Sequence, residues 1–167
     1  MRDLYTNRNS RKDFVQNGLY EHIENEMDVF IASSFFTETD VIDIKIEKKC
    51  HLRIVVRLGF PTQPQALEKL LKNSNIEARY FTSHSFHPKI YIFGDKKILV
   101  GSANLTKAAI LTNQEVVVGI SSDDKRFDEL TTLFSEYWDE AEVLDEESIA
   151  SYRMIYERFK QVSKLIN

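Results

Sequence analysis

Apolar residues fall along this chain in short β-branched runs separated by amphipathic stretches. Ile54, Val55 and Val56 centre one run and predict a buried strand over 52–58. Val29, Phe30 and Ile31 do the same for 27–36, and further strands are predicted over 76–81, 89–93, 97–100 and 114–120. Phe14, Leu19, Tyr20 and Ile23 share one helical face, predicting a helix over 10–25. Shorter helical stretches cover 66–72 and 105–110. Asp123-Asp124 suits the cap of a helix running to about Trp138, and 146–166 reads as a last amphipathic helix. Residues 40–49 fit both a helical stripe and an alternating strand. Gly59, Pro61 and Pro64 mark one turn, and Gly94-Asp95 marks a hairpin-like one. Strands joined partly by tight turns and partly by helices predict an α/β fold: a mixed central β-sheet flanked by helices on both faces. With 167 residues and no repeat or linker, 1–167 is expected to form a single domain.

The candidate chemistry lies in HPKIYIFGDKKILVGSANLTKAAILTNQE, which begins at His87. His87 and Lys89 are two apart, so an extended chain sends both to one side. The hairpin returns Gly101-Ser102-Ala103-Asn104 beside them, and Ser102 and Asn104 repeat the two-residue spacing. An imidazole, an ammonium, a hydroxyl and an amide thus converge, which suits phosphodiester chemistry. A neutral imidazole can attack phosphorus. Lysine and the asparagine amide can donate to the non-bridging oxygens. Gly101 allows backbone to approach an anion, and Glu115 is placed to accept the second imidazole proton and fix the His87 tautomer. Catalytic residues are therefore expected at His87, Lys89, Ser102, Asn104 and Glu115, with no metal and no cofactor. Ser102 and Asn104 also suit capping of the helix after them, and Glu115 also suits a plain surface position.

These residues resemble the motif of the phospholipase D superfamily, His-x-Lys followed at fixed distance by Gly-Ser-x-Asn. His87, Lys89, Gly101, Ser102 and Asn104 match in order and spacing, and Glu115 fits the family's acidic residue. The family's aspartate five residues after the lysine is replaced by Gly94, with Asp95 one later. The resemblance implies the phospholipase D-like fold and a phosphohistidine mechanism in which two His-x-Lys motifs meet. His22, His51 and His84 do not repeat the motif. A complete site is therefore expected at the axis of a homodimer. The wording also resembles the superfamily's small single-motif bacterial nucleases and its metal-independent restriction enzymes.

Charge refines the expected partner. The net charge of −4 argues against a nucleic-acid surface, but 123–147 alone hold eleven acidic and two basic residues. That segment reads as a solvated helix face or a surface for a partner ATPase, helicase or DNA-recognition protein. Lys45, Lys48, Lys49, Arg53 and Arg57 form a candidate phosphate-tracking patch. Ser33-Ser34 end a strand where α/β sheets often bind ligands, and His84 is a candidate for the site entrance. One cysteine, Cys50, no apolar stretch of membrane length and no leader-like start point to a cytoplasmic protein. The reading is an endonuclease acting on DNA rather than RNA, in restriction or phage defence. A lipid-acting phosphatidyl hydrolase or transferase, and a regulatory subunit, are its alternatives.

Overall fold

The computed structural model describes residues 2–25, 28–37, 40–47 and 51–167. Met27, Lys48, Lys49, Cys50 and the Lys45 side chain, used in the reading above, lie outside the described residues. In chain order the elements are β1 (Leu4–Tyr5), α1 (Val15–Asn25), β2 (Val29–Ser33), α2 (Asp40–Glu47), β3 (Leu52–Arg57), α3 (Pro64–Leu71) and β4 (Ile76–Phe81). They continue with β5 (Lys89–Phe93), β6 (Lys97–Gly101), α4 (Lys107–Leu111), β7 (Val117–Ser121), α5 (Lys125–Glu140), β8 (Glu142–Val143) and α6 (Glu146–Ile166).

The strands form one mixed sheet in the order β1-β7-β6-β5-β2-β3-β4-β8. β2, β3 and β4 run parallel, joined through α2 and α3. β5 pairs antiparallel with β2, so the start of β5 lies beside the end of β2, with Ser33 opposite Lys89. Period-2 alternation decides which side chains face which layer. Ile54 and Val56 turn to one face, where Leu19, Val41, Leu67, Ile110 and Tyr152 bring α1, α2, α3, α4 and α6 against the sheet. Val55 turns to the other, with Ile90, Ile98 and Ile120 under Phe127, Phe134 and Trp138 of α5. Both faces are helix-covered as expected, among the described residues by five helices on one and a single helix on the other. Each fully buried aliphatic side chain in these layers contributes roughly 1.5–3 kcal/mol.

Some boundaries depart from expectation, and the strand predicted over 27–36 is observed as Val29–Ser33. The first helix begins at Val15, not residue 10, because the preceding loop is held by side chains. Buried Asp13 accepts from the Thr6 hydroxyl (2.7 Å), the Arg8 N–H (3.0 Å) and Arg11 (2.7 Å), which hold its carboxyl far below the usual range against the cost of burial. Asn7, at φ 58°, accepts from the Val15 N–H and donates to the carbonyls of Ala109 and Asn113. The open stretch 40–49 is helical as far as Glu47, with Val41 and Ile42 buried. The 114–120 strand starts only at Val117, so Glu115 precedes it. The two-residue edge strands β1 and β8 were not foreseen, being too short to show a period. Asp124 caps α5 by accepting from the Arg126 N–H (2.9 Å), as its sequence position suggested.

Candidate active site

The site forms where β2 and β3 end and β5 begins. In open α/β sheets, ligands gather at the carboxyl ends of the parallel strands. His87-Pro88 leads into β5, and the Pro88 carbonyl accepts from both the N–H and the hydroxyl of Ser34 at the end of β2 (3.2 Å each). This ties the motif to the neighbouring strand. His87 is exposed, with its ring edge against Phe35 at 6.3 Å between centroids. Lys89 is buried and donates to the His87 carbonyl (2.8 Å).

Arg57, the last residue of β3, sits behind them. It is 8% exposed and stacks its guanidinium on Phe35, 4.4 Å from the ring centroid. It donates to the carbonyls of His84 (2.9 Å) and Phe86 (3.2 Å), clamping the loop that delivers His87. Desolvation, then the charges of Lys89 and Arg57, hold the His87 imidazole below its ordinary pKa. Burial and then Arg57 likewise lower Lys89, with Glu115 pulling the other way. These effects favour the neutral ring, the form a nucleophile needs.

The other half comes from the turn after β6. Asn104 Oδ1 accepts from the Phe35 N–H (3.1 Å). That leaves the Asn104 NH₂ without a protein acceptor among the described residues, free to donate to a substrate oxygen. The Ser33 hydroxyl accepts from the Leu105 N–H (2.9 Å) and donates to the Phe35 carbonyl (2.6 Å). Buried Tyr91 donates to the Ala103 carbonyl (2.8 Å) from below. Ser102 donates to the Glu115 carboxylate and accepts from the Val116 N–H (2.9 Å). A side chain at Gly101 would lie 2.1 Å from the Val116 carbonyl oxygen. Glycine is thus required there for the approach of the chain before β7, a reason different from contact with an anion. The N-terminal loop supports the same segment, with Arg8 reaching Gln114 (3.5 Å).

His87, Lys89 and Asn104 therefore meet around Phe35 and the start of β5, with the Ser102–Glu115 pair on the adjoining segment before β7, but their partners differ from the sequence reading. Glu115 is bound by Ser102, and among the described residues no hydrogen bond joins it to His87. The cap of α4 is Thr106, which accepts from the Ala109 N–H (3.2 Å), so Ser102 and Asn104 do not serve as its cap. The basic patch does not assemble from its described members. Arg53 pairs with Glu77 (3.0 Å) and covers Trp138, whereas Arg57 is buried at the site. Arg57 is taken up by the Phe35 ring and two carbonyls, and Arg53 by the Glu77 carboxylate and the Trp138 ring. Sequence reasoning missed Phe35 and Tyr91 and misread Arg57; only the strand-end position of Ser33 hinted at the site. Among the described residues, no three His, Cys, Asp or Glu side chains cluster to hold a metal ion, and no helix is long and apolar enough to cross a membrane.

Comparison with known proteins follows the same lines. The family described as "Cardiolipin synthase, PLD-like domain" matches residues 19–138. NucT from Helicobacter pylori superposes with a TM-score of 0.71 at 19% identity, covering 84% of this chain and 97% of its own. Nuc from Salmonella typhimurium, a phospholipase D family member, gives 0.68 at 20% identity over 78% of this chain and 91% of its own. TrmBL2, an archaeal chromatin protein with a novel mode of DNA binding, gives 0.61 at 18% identity over 86% of this chain and 55% of its own. No curated protein matches the sequence significantly. At these identities the structural likeness speaks for the fold.

Proposed function

The chain belongs to the phospholipase D superfamily, and from that premise we propose that it is a metal-independent endonuclease that cleaves DNA at a site shared by two subunits. The observation that carries this is His87 held beside buried Lys89, in surroundings that favour its neutral form, and the free Asn104 amide. His87 attacks phosphorus, a P–N bond forms and the P–O bond to the leaving nucleotide breaks. The partner subunit's His87, which enters the step as imidazolium, gives its proton to the departing oxygen and is left neutral to take a proton from the attacking water. Water then attacks the phosphohistidine, releasing the phosphate end and restoring the imidazole. Lys89 and Asn104 hold the non-bridging oxygens as charge grows on them. Positive charge is supplied by Lys89 and Arg57, so a metal ion has no necessary role. Glu115, fixed by Ser102, is the carboxylate available to an imidazole approaching across the two-fold axis.

A second subunit enters the proposal because these 167 residues hold one His-x-Lys. DNA is favoured over lipid by the single-motif architecture and by the DNA binding described for TrmBL2. A role in restriction or phage defence, with an ATPase, helicase or DNA-recognition partner at the acidic 123–147 face, completes the reading. The lipid-acting alternative is kept in view because the matching family is described by a lipid enzyme.

The test is plasmid and oligonucleotide cleavage in EDTA. The expected result is cutting by the wild-type chain and a phosphate adduct on His87 by mass spectrometry. Mixed dimers of wild type with His87→Ala are expected to be inactive. Cleavage that survives His87→Ala would overturn the nucleophile assignment. Phosphatidyl transfer without DNA cleavage would favour the lipid reading.

A further inference from the structure

A cavity of about 640 Å³ opens beside the proposed active site, between the turn after β3, the end of β4 and α6. That is the size of small-molecule sites in general. Arg57 and His84 line it, and Arg57 holds the carbonyls of His84 and Phe86. Its wall is therefore continuous with the loop that delivers His87, three residues past His84. A ligand in the cavity would touch the loop that carries His87.

The lining is specific in character. Tyr80 and Tyr152 form the walls. At the rim Phe60 and Phe159 lie nearly parallel, with centroids 6.3 Å apart and planes at 23°, and they are 38% and 56% exposed. Exposed stacked aromatics cost hydration and offer flat π-faces. Asp145 and Glu147 also face the cavity. Two carboxylates repel a phosphate, and they interrupt the apolar lining an acyl chain would need. Asp145 Oδ1 is engaged by the Ser148 N–H as the cap of α6, whereas Glu147 can accept from an N–H on the edge of a flat heterocycle. Flat aromatic walls with a carboxylate acceptor match a nucleobase better than the phosphate backbone or a lipid tail.

We propose that this cavity receives an unstacked nucleobase next to the scissile phosphate, making single-stranded nucleic acid the preferred substrate. The inference rests on the endonuclease reading for its substrate class. It adds that a duplex must open before it is cut, because a paired base cannot reach the rim.

The test uses a single-stranded oligonucleotide carrying 2-aminopurine, together with a matched oligonucleotide that has an abasic residue at that position. Ser151→Trp fills the cavity from α6, and Phe60→Ala removes part of the rim; neither touches the catalytic groups. The wild-type chain is expected to quench 2-aminopurine on binding and to bind the base-bearing strand about 10-fold more tightly than the abasic one, the effect of one stacked base. Ser151→Trp is expected to abolish both differences, and Phe60→Ala to reduce them with an unchanged thermal melt. If Ser151→Trp does not fold, Phe60→Ala still decides. Absence of quenching by the wild type, or quenching indifferent to Phe60→Ala and to a folded Ser151→Trp, overturns the proposal. DNA cleavage without base discrimination would leave the endonuclease reading standing and remove the cavity's role. Quenching without cleavage would do the reverse.

Discussion

The β5 side of the site and the turn after β6 meet at Phe35 but are held by different forces. On the β5 side, burial and charge dominate: Lys89 and Arg57 are both 8% exposed, and desolvation, then their charges, lower the pKa of the His87 imidazole. On the other side, Ser33, Tyr91, Ser102 and the Phe35 N–H position Asn104 and Glu115 through hydrogen bonds. The difference suits the tasks. The first side must tune a proton equilibrium, which desolvation and nearby cations do. The second must aim donors at fixed points, which directional bonds do. Arg57 is the element that spans both, since its guanidinium lies on the ring whose backbone holds Asn104.

The comparison makes graded predictions. The largest effect is expected from His87→Ala, which should lower DNA cleavage on the order of 10⁴-fold or more. Because the side chain is exposed, the thermal melt should stay within about 0.5 kcal/mol of wild type. On the hydrogen-bonded side, Asn104→Ala should lower kcat by about 10²–10³-fold, the usual loss for one donor to a developing charge. Its pH profile should not move, and a shifted profile would break the division between the two sides.

Arg57→Met tests the burial side. Arg57 depresses the His87 pKa, so its removal should raise it. Activity that needs neutral imidazole is lost as pH falls through that pKa. The acid limb of the kcat/KM profile should therefore move to higher pH, as read by initial rates across pH 5–9. The smallest effect is expected from Ser33→Ala, which orphans the Leu105 N–H and should cost about 1–3 kcal/mol in urea unfolding. An acid limb that moves with Ser33→Ala and not with Arg57→Met would reverse the comparison.

Much of this was legible beforehand for a physical reason. The strands over 76–81 and 89–93 and the helix over 146–166 were foreseen with their observed bounds, because long single-period patterns leave little choice. Boundaries failed where side chains replaced backbone pairing. Asp13 and Asn7 stop a helix that the apolar spacing alone would extend. Ser102 takes up the Val116 N–H and delays β7 beyond Glu115.

The sequence by itself determined which groups could do the chemistry, because His87 to Lys89 and Ser102 to Asn104 are local spacings read through one hairpin. It also shows one such motif within these 167 residues. Only the tertiary structure decided what surrounds them. Ser33, Phe35 and Arg57 reach the site from β2 and β3, about 70 residues before Asn104 for the first two. No local period records such a contact. It exists because β5 inserts beside β2, bringing the end of one strand against the start of the other.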